Sequence, residues 1–188
     1  MRRGRFSLAR RFARDRRGVA ALEFALVVPI VIVVYAAGFE IVEASTVYRK
    51  LTDTTVQLAN VTAQYTSVTT TDVTNIFGAS SQIMSPYSTT PLTVVLSEVQ
   101  VNASGQGVVQ WSEAYQGATA LTKSSTVTMP TGFQNNGDYY LIVQTTYDYS
   151  PVIGSAFVQP INMSNKIYML PRQSTNIPCT VAGTTNSC

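Results

Sequence analysis

The feature that most constrains this chain is a run of 22 residues near its start, Gly18 to Phe39. It reads Gly-Val-Ala-Ala-Leu-Glu-Phe-Ala-Leu-Val-Val-Pro-Ile-Val-Ile-Val-Val-Tyr-Ala-Ala-Gly-Phe. About 20 apolar residues of helix suffice to cross a bilayer, so the run predicts a membrane-spanning helix. Two of its residues are out of place in a plain anchor. Glu23 puts a carboxylate in the span at a cost of about 2.5–3.5 kcal/mol, and residues of that kind usually have a partner or a function. Pro29 removes one backbone donor and crowds the carbonyl of Ala25, which predicts a kink or local melting. Membrane helices tolerate this where neighbours satisfy the freed carbonyl. The plainer alternatives are a Glu23 that snorkels to the headgroups and an ordinary membrane proline.

Charge is segregated around this run. Eight arginines, Arg2 to Arg17, precede Gly18 with Asp15 as their only acid; beyond Gly18 there are five bases and nine acids, a net charge of −4. The overall +3 therefore does not describe the exported part. That part has no basic face with which to neutralise phosphates, which argues against a nucleic-acid partner. Arginines beside an apolar span stay cytoplasmic, which places the N-terminus inside and the C-terminal part outside. The doublets Arg2-Arg3 and Arg10-Arg11 carry little weight as a twin-arginine signal in a leader so rich in arginine.

Arg17-Gly18-Val19-Ala20-Ala21-Leu22-Glu23-Phe24-Ala25 followed by Pro29 resembles the cleavage and assembly signal of type IV prepilins. The version is similar to that of TadE-like minor pseudopilins of tight-adherence (Tad/Flp) pili. The resemblance implies cleavage by a prepilin peptidase between Gly18 and Val19, with Glu23, Phe24 and Pro29 remaining in a helix used for assembly. It implies prepilin peptidase, other pilin or pseudopilin subunits and inner-membrane lipid as partners, with no nucleic acid, small-molecule substrate or cofactor. It also implies a single-pass protein of the bacterial inner membrane whose C-terminal domain is periplasmic or is carried into the pilus. Two later stretches, Tyr147-Asp148-Tyr149-Ser150-Pro151 and Leu170-Pro171-Arg172, match the family's sheet region.

Beyond Phe39 no proline occurs before Ser67, and Val47, Leu51, Leu58, Val61 and Tyr65, with Ala44 and Tyr48, recur at helical spacing. They form one apolar stripe, which extends the helix to about Ser67 unless it breaks near Gly38. Asp72 is the expected N-cap of a short helix ending near Met84, closed by Ser85-Pro86. Strands are expected at Leu92 to Val101, Val108 to Tyr115, Tyr139 to Tyr149 and Ile161 to Leu170. Turns fall at Asn102–Gly107 and Asn135–Asp138. An antiparallel sheet needs a cover for its apolar face, and the helical stripe is the available one. The expected class is α+β: a long N-terminal helix, membrane-spanning and then amphipathic, packed on a small antiparallel sheet in a pilin-like manner. The segments are a basic leader (1–18), a transmembrane and assembly helix (19–39), its amphipathic continuation (40–67), an α+β periplasmic domain (68–172) and a C-terminal tail (173–188).

Candidate chemistry is sparse. The chain has no histidine, hence no histidine base, Ser-His pair or zinc triad, and no glycine-rich phosphate loop. Neither catalytic, cofactor nor metal residues are expected. Glu98 and Glu113 can be read as a carboxylate pair across a hairpin, but the polar face of a strand is the preferred reading. Cys179 and Cys188, close together on the exported side, read as one disulfide, against two free thiols on a loose tail. Three functions then compete: a pseudopilin-like structural subunit, an uncleaved membrane-anchored binding module or adhesin, and a soluble protein cut after Ala36 by signal peptidase.

Overall fold

The apolar run and its continuation form one helix, α1, Val19–Thr62, 44 residues long. In the computed structural model, which describes residues 18–153, 159–181 and 184–185, α1 runs unbroken through Pro29 and Gly38. The local melting expected at Pro29 does not occur. The helix stops short of Ser67: Gln64 N donates to Val61 O and Tyr65 N to Thr62 O, at 3.2 and 3.1 Å, tightening the chain end in the way three-residue turns terminate helices. The arginine-rich leader and Cys188 lie outside the described residues.

The chain divides into two compact units between Val42 and Glu43. In the first, the described residues are the apolar part of α1, and its side chains are exposed on every side, with Phe24 at 70% and Tyr35 at 77%. This is the one helix among the described residues long and apolar enough to cross a membrane.

In the second unit, the remaining turns of α1 pack on a sheet. Val47, Leu51, Leu58 and Ala59 are buried in its core, but Tyr48 and Val61 are 47% and 39% exposed. The predicted stripe is corrected accordingly: the buried arc is completed by Thr54, Thr55 and Thr62. Their hydroxyls donate to the carbonyls of Lys50, Leu51 and Leu58 four residues back, at 2.7–2.8 Å, so burial strands no polar atom. Thr55 also shares a 2.6 Å hydrogen bond with Thr145 of the sheet.

After strand β1, Val68–Thr69, comes helix α2, Thr70–Met84. Its cap is Thr69, not Asp72. Thr69 Oγ1 accepts from Asp72 N, and Asp72 Oδ2 accepts from Thr69 N at 2.9 Å, a reciprocal capping box. The main sheet then contains β2 (Leu92–Val101), β3 (Gln106–Tyr115), β4 (Thr126–Thr128), β5 (Tyr139–Tyr149) and β6 (Ile161–Met169). It is antiparallel throughout, in the order β4-β3-β2-β5-β6. Four of these strands fall where the sequence places them, and β4 lies within a predicted loop. The class is α+β.

The sheet buries both faces, where the sequence suggested a cover for one. Leu92, Val94, Leu96, Trp111, Leu141, Val143 and Tyr147 join α1 and α2 in the larger core. Val99, Val101, Val109, Tyr140 and Ile142 form a smaller core on the other face, with Leu121, Val127, Met129 and Phe133 of the β3–β5 connection packed over it. The change of face shows in the register: Glu98 pairs with Trp111 but Val99 pairs with Val109, so Gln110 is an extra residue on β3. A bulge of this kind re-aims the side chains that follow it.

A second small sheet, β1-β7-β8, lies outside the strands that the sequence marks. β7, Cys179–Val181, runs parallel to β1, with Val68 opposite Cys179, and pairs antiparallel with β8, Thr184–Thr185. This part of the C-terminal segment enters the core: Ile177 and Cys179 are both fully buried.

Candidate functional site

Two places are candidates for function, the start of α1 and the face of the sheet under the C-terminal segment. Gly18 is exposed and immediately precedes the helix, and a Cβ built on it meets nothing within 4 Å. Val19 is the first helical residue. Glu23 stands four residues on, roughly 6 Å along the axis at 1.5 Å per residue, and is exposed together with Phe24 and Pro29. The predicted processing and assembly residues thus lie at the start of α1 and along its first turns. Its exposed apolar surface far exceeds scattered surface leucines and marks a membrane or protein contact.

The second place centres on Glu98. The polar face expected for it is corrected: Glu98 is 1% exposed. It lies opposite Trp111, while Glu113 lies opposite Leu96 and is half-buried, so the two glutamates are diagonal neighbours, not a facing pair. Glu98 Oε1 accepts a hydrogen bond from Ile177 N at 2.5 Å, and Trp111 Nε1 donates to Ile177 O at 2.7 Å. Two side chains on neighbouring strands thus hold both backbone polar groups of one residue, as a pairing strand would. Burial pushes the Glu98 carboxyl up to about 7, against the Ile177 N–H and Trp111, which favour its charged form. Burial also raises Glu113. Nothing in the local sequence marks Glu98 for this use; the signal is a lone acid between Leu96 and Val99 in a strand otherwise bound for the core.

Just beyond this clamp, Val68 N donates to Pro178 O at 3.1 Å and Cys179 is disulfide-bonded. Its expected partner, Cys188, lies outside the described residues.

The other face carries a cavity of about 210 Å³, lined by residues including Val95, Ser97, Leu121, Ile142 and Lys166. It is smaller than the roughly 300–1,000 Å³ of typical ligand pockets. Ser97 and Ser112 share a 2.7 Å hydrogen bond nearby, and Ser112 Oγ accepts from Leu121 N at 2.9 Å. These contacts fasten the overlying loop.

Fold and sites together define an α+β protein with one helix able to cross a membrane. The chain matches no family model, no curated protein and no solved structure.

Proposed function

We propose that this chain is a minor structural subunit of a Tad/Flp-type pilus, a TadE-like pseudopilin cut by prepilin peptidase between Gly18 and Val19. The observation that carries the reading is the placement of Gly18, Val19, Glu23, Phe24 and Pro29 at the exposed start of a helix whose later turns cover a sheet. One helix that is apolar first and amphipathic afterwards is the shape a pilin-like fold requires. An exported domain of this size favours a minor or initiating role, since the major subunits of such pili are typically much smaller.

In this reading the leader is cytoplasmic, the domain from Glu43 onward is periplasmic, and cleavage creates an α-amino group on Val19. That amine is cationic at neutral pH, with an unperturbed pKa of about 7.7–8.0. It begins the same helix as Glu23, so the matching partner for Glu23 is the amine of a neighbouring subunit offset along the filament. The pair sets axial register more than it adds stability, because desolvation offsets much of the attraction.

N-terminal sequencing of the mature chain separates the alternatives. Val19 is the expected first residue. An intact leader would make the protein an uncleaved anchored binding module or adhesin, and Ala37 would make it a secreted soluble protein. Gly18→Phe should accumulate as an uncleaved species of higher mass. The open space around Gly18 means that the substitution disturbs recognition and not the fold; normal maturation of that variant would overturn the reading.

A further inference from the structure

The C-terminal segment is held at Ile177 by two side chains and not by a pairing strand. Ile177 is fully buried, and its N–H and C=O are held by the side chains of Glu98 and Trp111. A carboxylate taken out of water without a cation is costly, and such a group tends to neutralise itself by binding a proton. Among the described residues, the ionisable groups on the surrounding elements supply no such cation. On this face β3 brings Glu113 and Tyr115, and β5 brings Tyr139 and Tyr147. Asp72 of α2 is engaged with Thr69, Lys50 of α1 donates to Ile83 O, and Arg172 donates to Asn60.

We propose that Glu98 is a proton-operated latch for the C-terminal segment, residues 173–181. With the carboxyl protonated and neutral, Ile177 stays seated. When the proton leaves for solvent, the charge left in the core favours the open form, in which water reaches Glu98 and the segment leaves its place. Opening separates Pro178 from Val68, breaks the β1–β7 pairing and uncovers the edge of β1 together with Trp111. The latch works on an exported domain whether or not the protein enters a pilus.

The sign follows from linkage. The seated form holds its proton up to about pH 7, while an open form with the ordinary value of 4.5 gives it up earlier, so opening grows with pH between those values. From pH 5.5 to 8.5 the opening constant should rise roughly 30-fold on those two values.

The test is amide hydrogen exchange at Ile177 and Cys179 in the full chain in detergent micelles, corrected for the intrinsic pH dependence of exchange. The native protein should show the rise, and Glu98→Gln, which stays neutral, should show a flat profile. Trp111→Phe should open more at every pH and still show the rise. Protection independent of pH in the native chain, or an equal slope in Glu98→Gln, would overturn the latch. Should Glu98→Gln fail to fold, a ¹³C carboxyl titration of native protein decides: a midpoint near 7 supports the proposal, and one in the ordinary carboxylate range overturns it.

Discussion

Single residues in this domain are constrained by what lies against them more than by their own type. Gly107 is an example. A Cβ built there would sit 2.9 Å from Met129 Sδ and 3.0 Å from the Cγ2 atoms of both Val127 and Val99. The glycine lets β4 and the overlying connection close on the smaller core. Gly107→Ala should therefore destabilise the domain by about 1–3 kcal/mol, the usual cost of overpacking. A lowered urea midpoint with an unchanged slope would register it, and a native midpoint would show that Met129 simply moves aside. From the sequence, Gly107 reads only as part of a turn cluster. The turn itself is a local matter: Asn102 Oδ1 accepts from the N–H groups of Ser104 and Gln106, and Gly105 takes a φ of 73°, a conformation glycine adopts at little cost. The crowding around residue 107 comes from Val99 on the paired strand and from Val127 and Met129 about twenty residues on, and no turn rule contains it.

At the scale of elements, signals carried by neighbours in the chain were legible and signals shared between elements were not. Strand β5 lies where its run of aromatic and β-branched residues puts it, and α2 ends where Ser85-Pro86 stops it. The N-terminus of α2 carries one feature more than the expected Asp72 cap. The pattern Thr69-x-x-Asp72 is a capping box, in which Asp72 is the third helical residue and not the cap. Thr69→Ala should cost about 1 kcal/mol, the common loss for an N-cap, while Thr69→Ser should stay near native. Comparing their urea midpoints checks this; equal stability of the two variants would mean that Asp72 alone holds the helix end. In α1 the difference from the expected stripe is physical in origin. Threonines count as polar in a hydrophobicity pattern, yet a helix lets them return their hydroxyl to its own backbone and be buried. That is why Thr54, Thr55 and Thr62 took positions that Tyr48 and Val61 were expected to hold.

For the whole molecule, the titrating groups predict how stability of the domain moves with pH. Glu98 is held above its ordinary value, so its contribution is fully present below about pH 4.5 and is lost as pH rises through about 7. The loss is at most about 3 kcal/mol at 1.36 kcal/mol per pH unit. Asp72 acts in the opposite direction, because its hydrogen bonds from Thr69 hold it below its ordinary value. Its contribution is lost only in acid. Denaturant midpoints of the full chain should therefore fall between pH 5 and 8, and Glu98→Gln should remove most of that slope. A native midpoint that rises over this range would contradict the assignment. The sequence by itself determined the bilayer-length helix, its continuation as an amphipathic one, the α+β class and four of the five main strands. Each of these follows from periodicity or composition within one stretch of chain, where geometry ties residue spacing directly to a face. Only the tertiary structure decided that the sheet buries both faces, that Gln110 shifts the register, and that the C-terminal segment is part of the core. Glu98 and Trp111 meet Ile177 across 79 and 66 residues, and a side chain's spacing along its own strand says nothing about a donor that arrives from the far end of the chain.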